Sequence, residues 1–185
     1  NLTATDDYEV FVCWLEWNGA NETMSMTLQG STSYCSVTKT GLADANYSFR
    51  AYANDTSGNI NQTTLRNITV DTTAPAVNIV NITPNPANFT FQNVTVNWTA
   101  TDVYINTSIV NVTFPNGTLF GNFTANFTLT TVNLSAPGNY TLVLFANDSA
   151  GNFATDTDYL FVNDTLPPSV NLDIHANDTY LNMNL

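Results

Sequence analysis

Fixed positive charge is almost absent: Lys39, Arg50 and Arg66 are the only Lys or Arg residues in 185. Three cations cannot form a basic footprint for nucleic acid, and they give anionic lipid little to attract. Acids are also few, so the net charge of −12 rests on fifteen Asp and Glu against those three. Solubility must therefore come from uncharged polar groups. Histidine occurs once, as His175, and there is no paired-His motif, Cys-x-x-Cys or glycine-rich phosphate loop. Zinc and nucleotide chemistry thus lack ligands. A Ser-His-Asp set can be drawn only through that one histidine. The acids fall mostly in turns, so a facing carboxylate pair for glycoside hydrolysis is not expected either. The expectation is no enzyme activity. No apolar run approaches the roughly 20 residues of a membrane span, so no membrane insertion is expected within the chain. No signal peptide or initiating Met stands at Asn1, and the chain reads as a processed or internal piece.

Helical periodicity is missing as well. Apolar residues alternate over short segments bounded by Gly, Pro, Asn and Asp, which predicts an all-β chain. Strands are expected over Tyr8–Trp17, Glu22–Leu28, Ser33–Thr38, Tyr47–Ala53 and Leu65–Val70. After these come Ala76–Val80, Phe89–Ala100, Ser108–Phe114, Thr118–Phe123, Phe127–Leu134, Tyr140–Ala146 and Ala154–Val162. Asn18-Gly19 and Pro115-Asn-Gly117 read as hairpin turns.

Asparagine and threonine are plentiful. Of twenty-eight Asn, twenty begin an Asn-x-Ser/Thr sequon, where the Ser and Thr content alone would give roughly six. They are Asn1, Asn21, Asn46, Asn54, Asn61, Asn67, Asn81, Asn88, Asn93, Asn97, Asn106, Asn111, Asn116, Asn122, Asn126, Asn133, Asn139, Asn147, Asn163 and Asn177. Strand alternation produces sequons by itself, because Asn and Thr two apart share the outer face. In Asn93–Thr99 it places Val94, Val96 and Trp98 inward. Loop sequons such as Asn54, Asn116 and Asn177 are not explained that way, and they favour N-linked glycans as partners.

Two cysteines, Cys13 and Cys35, are an even count in a sequon-rich chain. They suit an oxidising exterior and one disulfide closing a loop of about 20 residues, worth about 3 kcal/mol, the alternative being two buried thiols. Trp14 and Trp17 cannot both face a core across an odd spacing, so one of them is expected to be exposed, available to a sugar or a neighbouring subunit.

The chain is also repetitive. Asp71–Ile79 returns ninety-three residues later as Asp164–Leu172, and Asn46–Asn59 returns at the same offset as Asn139–Asn152. A period of about 90 residues matches one small sandwich per repeat. Tyr180-Leu181-Asn182-Met183-Asn184-Leu185 followed by Asn1-Leu2-Thr3-Ala4-Thr5-Asp6 aligns without a gap to Phe91–Asp102. Residues 72–164 then form a complete module, while 165–185 supply the first strands of a next module like the one that 1–71 lacks its beginning from. The strand at the cut is expected to be completed by another copy, covalently or by strand donation. The counterparts of the cysteines in the complete module, near Asn111 and Thr128, are not cysteine. Tyr47 and Tyr140, each opening a strand before an Ala-Asn-Asp turn, are placed for the tyrosine corner of immunoglobulin-type sandwiches.

Cys13–Gly19, Gly41-Leu-Ala43, Tyr47–Asn59 and the junction Val70–Val77 resemble the Ig-like repeats of large secreted surface proteins, chiefly archaeal ones, and of similar bacterial arrays. The resemblance implies two immunoglobulin-like β-sandwich modules in an extracellular, cell-surface or filamentous protein. The complete module departs from it in lacking the cysteines and the Leu-Glu-Trp-Asn-Gly segment. Asp6, Asp7, Asp55, Asp71, Asp102, Asp148 and Asp164 form a candidate calcium set of hard oxygen ligands near module junctions, the alternative being that Asp simply forms turns. The expected role is a structural repeat of a surface filament, pilus-like fibre or surface-layer stalk. The rivals are a carbohydrate- or partner-binding adhesin module and a spacer of a larger secreted enzyme.

Overall fold

The computed structural model describes residues 1–171, which form strands and connecting turns with no helix among them. His175, Asn177 and the inter-copy segment Tyr180–Leu185 lie outside the described residues. Two compact units divide the chain, one of Asn1–Pro75 with Asp148–Asn152 and one of the remainder.

Within Asn1–Pro75 lie β1 (Leu2–Thr5), β2 (Val10–Trp17), β3 (Ala20–Thr23), β4 (Ser25–Gln29), β5 (Thr32–Ser36), β6 (Ala45–Asp55), β7 (Ile60–Gln62) and β8 (Arg66–Val70). One sheet runs β1-β5-β4 and the other β3-β2-β6-β7, with β8 also on β6. The later part holds β9 (Ala76–Thr83), β10 (Ala87–Asn88), β11 (Val94–Thr101), β12 (Ile105–Thr113), β13 (Leu119–Phe123), β14 (Phe127–Leu129), β15 (Gly138–Asp148) and β16 (Phe153–Asn163). Its sheets are β14-β11-β9 and β10-β16-β15-β12-β13. Both are immunoglobulin-like sandwiches: antiparallel strands alternate inward apolar and outward polar residues between two sheets. The short pairing of β10 with β16 is parallel.

Local chemistry explains the elements. Asn18 and Gly19 both take positive φ, 48° and 80°, as a tight turn between twisted strands requires, and this closes the β2–β3 hairpin. Val94, Val96 and Trp98 point inward on β11, as the alternation predicts. Both tyrosine corners form. The Tyr140 hydroxyl donates to the Ala136 carbonyl at 2.9 Å, and the Tyr47 hydroxyl to that of Ala43 at 2.9 Å.

Several expected strands are cut differently. Phe89–Ala100 begins only at Val94, because Thr90 has φ 65° and the Asn88 N–H donates to the Gln92 side chain, turning the chain beforehand. Phe127–Leu134 stops at Leu129, where Asn133 Oδ1 accepts from both N–H and hydroxyl of Thr130. Glu22–Leu28 breaks at the buried Met24: β3 pairs with β2, whereas β4 crosses to β5 in the other sheet. The edge partner of β6 is split into β7 and β8, since the Thr63 hydroxyl takes the Ala51 N–H that a continuous strand would have bonded. Asn54 lies inside β6 and not in a loop, while Thr56 of its sequon falls in the turn that follows.

Candidate functional site

The two sandwiches differ along one edge. In the later one, β11 is flanked by β14 and β9, with Trp98 opposite Ile79 and Thr101 opposite Ala76. By the repeat, β1 corresponds to Trp98–Thr101. It pairs with β5 from Leu2 opposite Cys35 to Thr5 opposite Thr32, and among the described residues its other side has no strand. Beside that bare edge, three adjoining cavities of about 520, 250 and 410 Å³ follow the chain from Asn1 to Asp7. Leu2, Leu15, Trp17, Met24, Phe49 and Ile68 line the largest. Ile68 faces Tyr47 across the ladder as Leu160 faces Tyr140, yet Ile68 is 49% exposed and Leu160 0%. The site is an apolar groove where the other sandwich carries its first strands.

The disulfide stands next to this groove. Cys13 and Cys35 are bonded and fully buried, with Cα atoms 6.3 Å apart, and they join β2 of one sheet to β5 of the other. The counterparts suggested by alignment fit less well. Asn111 and Thr128 are not buried, and the buried residues beside them are Val110, Val112 and Leu129. An inter-sheet bridge needs inward-facing positions, and a one-residue slip turns a side chain to the other face.

Most acids of the candidate calcium set serve their own turns. Asp148 Oδ1 accepts the backbone N–H groups of Ala150, Gly151 and Asn152, while Oδ2 accepts from the Asn152 amide. Burial alone would raise the Asp148 pKa, but these donors outweigh it and hold the carboxyl below its usual range. Asp55 repeats the arrangement with Ser57 and Asn59, and the Asn59 side chain leads in lowering its pKa. Asp6 accepts from Tyr8 and Glu9, Asp71 from Thr73, Asp102 from Tyr104, and Asp164 from Leu166. Asp7 is exposed beside Asp6. These contacts are what turn-forming Asp residues make. Asp44 was not singled out by sequence. It accepts from the N–H and hydroxyl of Thr72 and from the Thr73 hydroxyl, and those hydroxyls, Thr73 first, lower its pKa. Nothing local in the sequence announces a contact across 28 residues.

Trp14 and Trp17 take opposite faces, as their spacing requires, and both are half-buried. Trp17 turns inward against Tyr47 and Phe49, with Lys39 over its ring. Trp14 turns outward and stacks on Tyr52 at 5.0 Å between centroids. Arg50 lies over the other part of this ladder and bonds Glu16 at 2.9 Å, and the Tyr52 hydroxyl donates to the same carboxylate at 2.7 Å. The Tyr52 and Arg50 donors hold Glu16 below the usual carboxylate range. Trp14 also borders a cavity of about 200 Å³ with Asn21 and Glu22.

None of the nineteen described sequon asparagines is a buried residue. Asn54 and Asn147, equivalent in the repeat, are exceptions at the atomic level: each Oδ1 is buried without a hydrogen-bond partner.

Residues 35–119 match the family model of the bacterial Ig-like domain, group 3, a stretch that runs from β5 to the first residue of β13. No curated protein matches the chain. Among solved structures, the fibronectin(III)-like modules of Clostridium thermocellum CbhA are 16% identical with a TM-score of 0.42, over 92% of this chain and 87% of that one. A 1.5-MDa bacterial ice-binding adhesin, studied for host cell surface retention, is 16% identical with a TM-score of 0.46, over 88% and 57%. A tetra-tandem repeat from the extending region of a large adhesion protein is 24% identical with a TM-score of 0.41, over 82% and 41%. This chain thus spans little more than half of the second solved chain and less than half of the third. Over residues 35–119 it is similar to bacterial Ig-like domains.

Proposed function

We propose that this chain is a structural repeat unit of an extracellular filament, fibre or surface-layer stalk, N-glycosylated along its strands, with copies joined end to end. The observation that carries this reading is the outward display of sequons on both sandwiches, none of whose described asparagines is buried. Glycans there would supply the hydration that eighteen charged side chains cannot, and would blunt exposed strand edges. The buried cystine fits an oxidising compartment. Turn-forming Asp residues and tyrosine corners favour a role that depends on persistence rather than on chemistry.

Glycopeptide mass spectrometry of the secreted protein, with enzymatic release in heavy-oxygen water, tests it. Occupancy is expected at exposed Asn46, Asn67, Asn81 and Asn139, and not at Asn54 or Asn147, whose amide oxygens are buried. A secreted chain carrying no glycan at any sequon would remove the glycoprotein reading.

A second reading rests on Trp14. Its stack with Tyr52, beside the cavity bordered by Asn21 and Glu22, offers an aromatic face with polar neighbours to a sugar ring. Selective binding on a glycan array, abolished by Trp14→Ala with the fold intact, would establish an adhesin. Failure to bind any glycan would leave the ladder as sheet packing.

A further inference from the structure

We propose that a sugar carried on Asn139 lies against the exposed rings of Phe161 and Tyr159, so that the outer face of the later sandwich is a platform for the chain's own glycan. The proposal rests on the reading of the chain as a glycoprotein and specifies one modification site and the surface that receives it.

The register of β15 on β16 sets Asn139 opposite Phe161 and Thr141 opposite Tyr159. Alternation sends Tyr140, Leu142, Leu160 and Val162 into the core, where all are buried, and so turns the first four outward. Asn139 and Thr141 are the two ends of one sequon, Asn139-Tyr140-Thr141. Each end therefore faces an aromatic ring on the next strand. Phe161 is 54% exposed and Tyr159 45%, which leaves an apolar strip open beside a modifiable amide.

The strip is held in place. β10 covers β16 only at Val162 and Asn163, and before that the Asn85 side chain takes over. Its Nδ2 donates to the Tyr159 carbonyl at 2.7 Å, and its Oδ1 accepts from the Phe161 N–H at 3.0 Å. The backbone edge under both rings is thus satisfied. No charged side chain shares this outer face on β15 or β16, since Asp156 and Asp158 fall in the inward register with Leu160. An uncharged aromatic face suits a neutral pyranose, whose C–H groups present slight positive charge to the negative face of a ring.

Directly opposite residues have Cβ atoms about 4.5–5.5 Å apart, so a sugar joined through C1 to Asn139 Nδ2 begins beside the Phe161 ring. The linkage forms as Nδ2 attacks C1 of a phosphate-linked sugar donor: the C1–N bond forms, the C1–O bond to the donor phosphate breaks, and the amide proton leaves with the phosphate. The earlier sandwich supplies the contrast. Asn46 repeats Asn139 and is also exposed, but it stands opposite Thr69, and Ser48 of its sequon stands opposite Asn67. A sugar there meets no ring on the facing strand.

The test uses the full chain, secreted from a glycosylating host and trimmed to a single N-acetylglucosamine at each occupied sequon. In proton–carbon correlation spectra, the sugar protons lost in Asn139→Gln should lie upfield of those lost in Asn46→Gln, because ring currents act only on the former. Phe161→Leu, which keeps an apolar side chain on the same face, should return them most of the way. By calorimetry, Asn139→Gln should lower the transition of the later sandwich by about 4 °C. In a Phe161→Leu background it should do much less, whereas Asn46→Gln and Phe161→Leu should act independently. Unshifted sugar protons at Asn139, or effects of Asn139→Gln and Phe161→Leu that simply add, overturn the contact. Glycopeptides of the native secreted protein separate this proposal from the reading beneath it. Asn139 bare while other sequons carry sugar overturns the contact and keeps the glycoprotein, and sugar at no sequon removes both.

Discussion

Among the described residues, the later sandwich packs a core cluster of fifteen buried apolar residues and the earlier one a cluster of five, although β6 and β15 have the same length and stand at equivalent positions. The difference lies in what covers the strands. Ile79, Ile82 and Ala87, on β9 and β10, seal one side of the larger core, and their counterparts are missing among the described residues of the smaller one. The earlier sandwich has other supports: a cystine between its sheets, and a Trp17–Tyr47–Phe49 cluster under Lys39. Cross-linking lowers the entropy of the unfolded chain and so offsets a core that apolar burial alone leaves small.

Calorimetry is therefore expected to show two transitions, the lower belonging to residues 1–75. Leu144→Ala, at a fully buried site on β15, should lower the upper transition most, by about 2–5 kcal/mol, while the lower one stays in place. A shift confined to the lower transition would reverse the assignment. Removing the cystine with Cys13→Ala and Cys35→Ala should cost the lower transition about 2–4 kcal/mol. Reduction of the native protein should do the same and leave the upper transition unmoved, which differential scanning with and without reductant would show.

Gly138 sharpens the contrast at one position. Its φ is 129°, and a Cβ there would lie 2.9 Å from Pro115 Cβ, whereas the repeat places Ala45 at the corresponding site. Gly138→Ala is expected to destabilise the later sandwich by about 1–3 kcal/mol. The reciprocal Ala45→Gly should cost about 0.5–1 kcal/mol through the unfolded chain. Equal small effects in denaturant titrations would mean that the close approach to Pro115 relaxes freely.

The smallest effect is that of acid. Glu16, Asp44 and Asp55 all have pKa values held below the ordinary value by hydrogen bonds. A carboxylate with a lowered folded-state pKa contributes stability that is fully present above its unfolded pKa and is lost as pH falls through the folded one. The lower transition should thus drop as pH falls from about 5 towards about 2. Asp44→Asn should flatten that dependence, and an unchanged pH profile would show that the Thr72 and Thr73 contacts carry no net stability.

Much of this was legible in the residues. Alternation around Val94, Val96 and Trp98 marks a strand with one buried face, and Asn18-Gly19 marks a hairpin, because both depend on backbone geometry within a few residues. The tyrosine corners were legible for the same reason: each hydroxyl returns to a carbonyl four residues upstream. The odd spacing of Trp14 and Trp17 settled their opposite faces, but not that Tyr52 would cover the outer one.

Sequence by itself thus determined the strand periodicity, the turns and the identity of the two cysteines, all of which follow from short-range sterics and pattern. Only tertiary structure decided that Met24 changes sheets, that Thr63 splits the edge of β6, that Asp44 holds Thr72 and Thr73, and that β1 borders an open groove. Each of these depends on which backbone and side-chain groups arrive opposite one another from distant positions. That is a matter of packing between sheets, and no local pattern encodes it.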